Sequence, residues 1–183
     1  MKSLLITGAS GDLGHAVVER FQSEYRCIAV PRNEIPSVEQ AFGILHLAGA
    51  FTMGSKPDDF ARMMDANLMS AARAIEALRD KISDGGRIIA ISSVASLTKP
   101  SGMAAYVAAK SALNAYVEVL AKELQKKRIT VNALLPSALD TPTMRASTPR
   151  GQLVPLDRVN AAIAFLLSDD ASPITGQLIA LTA

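Results

Sequence analysis

Apolar residues in this chain come in two rhythms. Short unbroken runs such as Leu4-Leu5-Ile6 and Ile88-Ile89-Ala90-Ile91 read as strands buried on both faces. Between them lie longer stretches with apolar residues three or four positions apart, as in Leu13, Val17 and Phe21. Strands are expected at about 3–7, 27–30, 44–48, 87–92, 129–134 and 178–182. Helices are expected at about 13–24, 36–42, 58–80, 104–126 and 156–168. The helix from Asp58 should bury one broad face carrying Phe60, Met64, Asn67, Leu68, Ala71, Ile75 and Leu78, and Gly85-Gly86 should end it. Met63 and Met64 read as core filler. The helix after residue 104 should bury Leu113, Val117, Leu120 and Leu124. Strands alternating with helices predict an α/β fold: a doubly wound, parallel sheet of about six strands, covered on both faces.

In an open sheet of this kind, ligands bind at the carboxyl ends of the strands. Gly8 follows the first strand and Ala48-Gly49-Ala50 the third. Ser92-Ser93 follow the fourth, and Pro136, Ser137 and Asp140-Thr141-Pro142 the fifth. All four sets should project from one edge as one composite site. The first lies in a strand–turn–helix unit, TGASGDLG, with Gly8, Gly11 and Gly14 spaced three apart. Gly8 would make the turn, Gly11 would admit a phosphate and Gly14 would let the helix pack close.

Composition narrows the classes. The chain has 183 residues, 49% hydrophobic and 20% charged, which suits one globular domain over 1–183. A net charge of +2 gives no footprint for nucleic acid. Lys126-Lys127-Arg128, the one basic run, reads as a solvated helix end. Cys27 is the only cysteine and His15 and His46 the only histidines, so neither a disulfide nor a metal site is expected. The first eleven residues are too short and too glycine-rich for a signal peptide, and no stretch has the ~20 apolar residues of a membrane span. A soluble, cytoplasmic protein is expected.

Tyr106 and Lys110 stand four apart in YVAAK, with Ser93 thirteen residues before the tyrosine. Four residues make about one helical turn, which puts phenol and ammonium on one face. A nearby cation favours the phenolate and brings its pKa of about 10 toward the working range. Taken alone, the same spacing also describes a packed ring beside a solvated charge.

Together these motifs resemble the short-chain dehydrogenase/reductase family over nearly the whole chain. TGASGDLG, LAGA, the asparagine of DANLMSAARAI, ISSVAS, YVAAK, TVNALLPSALDTP and the terminal SDDASPITGQLIALT carry the resemblance. It implies a Rossmann-type fold and an NADP(H)-dependent oxidoreductase, with NAD possible, acting on a small carbonyl or alcohol substrate. It makes Ser93 the residue that positions the substrate oxygen and Tyr106 the acid/base. Lys110 would lower the phenol pKa and hold the nicotinamide ribose, and Asn67 would hold a relay water. An amide satisfied by a helix carbonyl is the plainer account of Asn67. The implied cofactor set is Gly8, Ser10, Gly11, Asp12, Leu13, Gly14, Arg32, Ala48, Gly49, Tyr106, Lys110, Pro136 and Thr141. A homo-oligomer, dimer or tetramer, pairing the helices at 58–80 and 104–126, is also implied.

The sequence departs from the family pattern in several places. Asp12 stands where the commoner glycine turn has its middle glycine, HLAG replaces NNAG, and Ser137 replaces a glycine. Thirteen residues separate Val30 from Ile44, where the family has a helix, a strand and a helix. They suffice for one short crossover helix, so the sheet should lack an outer strand and leave the adenine end open. Arg32 after the second strand suits the extra phosphate of NADP(H). Thr141, Met144 and Arg145 are candidates for the substrate edge, and the run LLPSALDTPTMRASTP with the glycine-bearing terminal strand is similar to the dihydropteridine reductase-like branch, which suggests a pterin substrate. Two rival readings are a nucleotide-binding sensor or scaffold that has lost catalysis and, more weakly, an epimerase or dehydratase.

Overall fold

The computed structural model describes residues 1–32, 34–146 and 152–183. In chain order it contains β1 (Ser3–Thr7), α1 (Asp12–Phe21), β2 (Arg26–Val30), β3 (Ala41–His46) and α2 (Pro57–Met64). A π-helical turn, Asp65–Met69, joins α2 to α3 (Ser70–Leu78). There follow β4 (Ile82–Ile91), α4 (Ala95–Thr98), α5 (Ala104–Glu123), β5 (Thr130–Pro136) and β6 (Ala138–Leu139). The chain continues through α6 (Pro142–Arg145), β7 (Leu153–Val154), α7 (Leu156–Leu167) and β8 (Leu178–Leu181). Six strands form one parallel sheet in the order β2-β1-β3-β4-β5-β8. The strand order reverses between β1 and β3, so their ends open a crevice there.

Alternation along the strands sorts the core into two layers. Leu5, Ile44, Ile88 and Ala133 face α3 and α5, where Ile75, Leu113, Val117 and Leu120 meet them. Leu4, Ile6, Leu45 and Leu134 face α1 and α7, meeting Val17, Phe21, Ile163 and Leu167. Burying one such aliphatic side chain stabilises the fold by about 2 kcal/mol. The apolar runs are therefore strands in a filled sandwich.

Four sequence expectations fail. The helix expected at 36–42 does not form; the described residues of the 31–40 link are neither helix nor strand. Pro31 and Pro36 favour extended backbone before them. Ala41-Phe42-Gly43 belongs to a fully buried strand, with Ala41 paired to Ile82. A Cβ on Gly43 would come within 2.5 Å of Arg87 O, so the strand packs there without a side chain. The expected continuous helix at 58–80 is interrupted by the π turn, whose extra residue rotates its apolar face. Met63, read as core filler, is buried at 1% exposure, whereas Phe60, expected on the buried face, is 36% exposed. Gly85-Gly86 lie inside β4 rather than ending that helix. Among the described residues no strand lies beyond β2, as the short 31–43 segment led one to expect. Among the described residues no helix is long and apolar enough to cross a membrane, and no cluster of side chains could hold a metal ion.

Candidate active site

The turn after β1 is built by contacts that exclude side chains. Gly8 has φ +70°, and a Cβ there would sit 2.7 Å from Ala48 N on the neighbouring strand end. A Cβ on Gly14 would sit 2.1 Å from Gly8 O, so α1 starts pressed against the turn. Gly11 N donates to Gly8 O at 3.1 Å, closing the loop. Leu13 packs into the core beneath it.

A crevice of about 470 Å³ opens beside this turn. Gly8 and Ser10 line it from β1, Arg32 from β2 and Ala48 and Gly49 from β3. Arg73 and Ala74 of α3 close the far wall. Gly11, Asp12, Leu13 and Gly14 shape the turn without lining the crevice.

Gly49 connects the crevice to the polar cluster. A Cβ there would lie 2.9 Å from Asn67 Oδ1 and 3.3 Å from Lys110 Nζ. Lys110 is buried on α5 and donates from Nζ to Ile91 O at 2.8 Å. Burial without a carboxylate partner lowers its pKa to about 8. Tyr106, one turn earlier, has its ring centroid 5.9 Å from that ammonium. The Ser93 hydroxyl, two residues beyond β4, lies close enough to the phenol to influence its titration. Burial raises the phenol pKa, and the Ser93 hydroxyl offsets part of that rise. The lowering expected from Lys110 does not offset this rise, because a lysine with a pKa of about 8 is neutral before the phenol ionises. Phe51 packs edge-on against Tyr106 with centroids 5.0 Å apart and is 52% exposed.

Asn67 sits in the π turn, fully buried. Its Nδ2 donates to Ala50 O at 2.9 Å and Met63 O at 3.0 Å, and its Oδ1 accepts from Ala50 N at 3.2 Å. The helix-carbonyl account of this amide therefore describes part of its bonding, and the rest pins the loop after β3. Pro136 O accepts from Val94 N at 3.1 Å, which ties the end of β5 to the Ser93 loop. Thr141 Oγ1 accepts from Met144 N at 3.3 Å and caps α6; Thr141 is not part of the crevice lining. Arg145 Nε donates to Asp140 Oδ1 at 2.5 Å.

Two further polar groups line the crevice, one marked in the sequence by the HLAG departure and one not. His46, fully buried, replaces the family's asparagine brace. Thr7 Oγ1 lies 2.9 Å from its Nδ1, and Ser70 Oγ lies 3.5 Å from its Nε2. Ser70 donates its own proton to Ala66 O at 2.7 Å, so it accepts from Nε2 and leaves Nδ1 to accept from Thr7. Burial first, and the Lys110 charge second, hold the His46 pKa down at about 3. The ring is thus a neutral brace joining β1, β3 and α3. The HLAG departure was the available signal. Arg73 is the second group, and its neighbourhood in sequence offered no signal.

Comparison with known proteins decides the family. Residues 15–182 match the family described as enoyl-(acyl carrier protein) reductase. The chain belongs to the short-chain dehydrogenase/reductase family. It is 34% identical over 138 residues to the 3-oxoacyl-(acyl-carrier-protein) reductase FabG of Salmonella typhimurium, covering 68% of this chain and 57% of that protein. The chain thus spans little more than half the length of such curated relatives. The 3-oxoacyl-(acyl-carrier-protein) reductase MabA of Mycobacterium avium is 27% identical over 222 residues, covering 97% of this chain and 87% of that protein. In fold, a metagenomic blue fluorescent protein in complex with NADPH superposes with a TM-score of 0.88 at 24% identity, covering 98% of this chain and 96% of that one. The 3-ketoacyl-(acyl-carrier-protein) reductase of Brucella melitensis complexed with NADH gives 0.84 at 23% identity, covering 98% and 96%.

Proposed function

We propose that residues 1–183 act as one dinucleotide-binding catalytic domain, an NADP(H)-dependent oxidoreductase that reduces a small carbonyl substrate. The observation that carries the reading is the meeting of Ser93, Tyr106 and Lys110 at the strand edge, joined by Gly49 to the crevice at the reversal of strand order. The residues fit the cofactor. Gly8 lets the turn close on the Ala48 backbone at the edge of the crevice, and the buried Ser137 Oγ just after β5 has no partner among the described residues. Gly8, Ser10 and Gly49 would hold the dinucleotide along the crevice, with Arg32 at its adenosine end.

The bound nicotinamide supplies or accepts the hydride. Tyr106 is a protonated phenol at neutral pH, because burial keeps its pKa above the ordinary value. It donates its proton to the substrate oxygen, and the Ser93 hydroxyl holds that oxygen in place. Lys110 would help hold the cofactor ribose, and its charge, released from the Ile91 carbonyl, would stabilise the phenolate left behind. The names of the FabG and MabA relatives favour a 3-oxoacyl type of carbonyl over a pterin. Met69 at 44% exposure and Val119 at 53% are apolar positions on the helices that would pair between subunits of a homo-oligomer.

The deciding experiment is single-turnover reduction of a short 3-oxoacyl thioester with NADPH, comparing wild type with Tyr106→Phe. Loss of turnover with nucleotide binding retained supports the reading; equal rates overturn it. A second reading, a nucleotide-binding sensor or scaffold, is favoured by Lys110 and Asn67 being committed to backbone partners. Tight NADPH binding with no turnover of any carbonyl by wild type would select it.

A further inference from the structure

Two arginines line the crevice, and one carboxylate holds both. Arg32 comes from the loop after β2 and Arg73 from α3. Arg73 Nη2 donates to Asp65 Oδ1 at 2.9 Å, and Arg32 Nη2 donates to Asp65 Oδ2. The trio carries a net charge of +1 and is open to solvent, with side-chain exposures of 64% for Arg32, 48% for Arg73 and 44% for Asp65. Exposed ion pairs are worth roughly 0–1 kcal/mol, so a stronger anion can displace the carboxylate. Each guanidinium has five N–H donors, and one carboxylate cannot occupy ten. The described residues of the 31–40 link form no helix or strand.

We propose that Arg73 is a second specificity-determining residue, which with Arg32 clamps the 2′-phosphate of a 2′-phosphorylated adenosine, and that Asp65 is the competitor this phosphate displaces. The inference rests on the dinucleotide reading above. A phosphate dianion offers three acceptor oxygens to two guanidinium forks, and charge-assisted bonds of that kind are about twice as strong as neutral ones. A ribose hydroxyl has neither the charge nor the acceptors to take the arginines from Asp65. The chain thereby replaces the missing outer wall with a charge contact from α3. Discrimination comes from exchange: without the extra phosphate, the arginines stay on Asp65.

The test is calorimetric titration of the full chain with 2′,5′-ADP and 5′-AMP, which differ by the one phosphate. Titrations with NADPH and NADH run alongside. Arg73→Met should weaken 2′,5′-ADP and NADPH binding by roughly tenfold or more and move 5′-AMP and NADH by less than about twofold. Arg73→Lys should restore part of the loss. Asp65→Asn should tighten 2′,5′-ADP several-fold. Equal loss for both ligands in Arg73→Met, no loss for either, or weaker 2′,5′-ADP binding in Asp65→Asn would overturn the clamp. So would a wild type that does not discriminate 2′,5′-ADP from 5′-AMP. The side chain of Arg73 is half exposed, so its variants should fold, and far-ultraviolet circular dichroism checks that. If 2′,5′-ADP discrimination stands but no carbonyl is reduced, the hydride-transfer reading falls and the clamp survives. If turnover stands and Arg73→Met leaves discrimination intact, the clamp falls alone.

Discussion

Lys110 Nζ donates to the carbonyl of Ile91, the last residue of β4, at 2.8 Å. The strand that presents Ser93 two residues later therefore also holds the lysine. A carbonyl is a partial substitute for a carboxylate, and burial brings the ammonium pKa from 10.5 to about 8. In the unfolded chain the group returns to about 10.4. Between these values the unfolded state binds the extra proton, so stability gained through this group rises as pH goes from about 8 to about 10.4. Below pH 8 both states are protonated and the penalty of burying the charge is constant. The difference in unfolding free energy between wild type and Lys110→Met should rise by about 3 kcal/mol over that window. Urea unfolding at pH 7.5 and pH 10 measures it; a flat difference means the lysine is solvated or paired.

His46 gives the opposite limb of the pH profile. Its folded pKa of about 3 lies below the ordinary 6.5. Between them the unfolded state takes a proton the folded state refuses, so stability is present above pH 6.5 and lost as pH falls toward 3. The loss attributable to this ring is on the order of 4 kcal/mol. His46→Asn should be less stable at pH 8, because Thr7 and Ser70 lose their bridge, yet should lose less on acidification. Thermal unfolding of both proteins from pH 8 to pH 4 tests this. Parallel curves would mean that His46 does not titrate between the states.

Gly14→Ala is expected to damage the turn more than any surface change. Its new Cβ would meet backbone, Gly8 O at 2.1 Å and Ala9 Cα at 2.6 Å, and backbone cannot rotate away. Overpacking of this kind costs about 1–3 kcal/mol or more. Displacing the turn should also weaken nucleotide binding, because Gly8 and Ser10 line the crevice. Chemical denaturation together with NADPH titration gives both effects; unchanged values in each would show that the close contact is not needed.

How much of this could be read beforehand follows from what fixes each element. The strand at 3–7 and the helices after 104 and 156 were legible because their apolar periods match what they bury. The 36–42 helix was not, since an apolar run of three residues such as Ala41-Phe42-Gly43 fits either period and only pairing with β4 decides it. The π turn at Asp65–Met69 leaves no composition signal; it follows from Asn67 bonding to both Ala50 and Met63. The spacing of Tyr106 and Lys110 put both on one face, as expected, but spacing is silent on direction. The ammonium turns to Ile91 O because that acceptor is buried beside it. Arg73 belongs to the crevice through the packing of α3, and no motif marks it.

Gly49 supplies the sharpest separation of stability from chemistry. Its absent side chain leaves the gap through which Asn67, Lys110 and the crevice meet. In Gly49→Ala the new Cβ would sit 2.9 Å from Asn67 Oδ1, which is held by Ala50 N, and 3.3 Å from Lys110 Nζ. The lysine end is flexible and can give way. The amide cannot move without loosening its bonds to Ala50 and Met63. The fold should therefore lose about 1–2 kcal/mol, within the range for one excess methyl in a packed site. Turnover should fall further than that loss implies, by roughly tenfold or more, because the displaced groups are those that orient the phenol and the ribose. Binding of 2′,5′-ADP, which ends at the adenosine side, should change by less than about twofold, since the groups the new Cβ strikes, Asn67 and Lys110, do not line the crevice. Steady-state kinetics, 2′,5′-ADP titration and urea unfolding on the one variant separate the three effects. A variant whose rate falls only in step with its folded fraction would show that Gly49 serves packing alone.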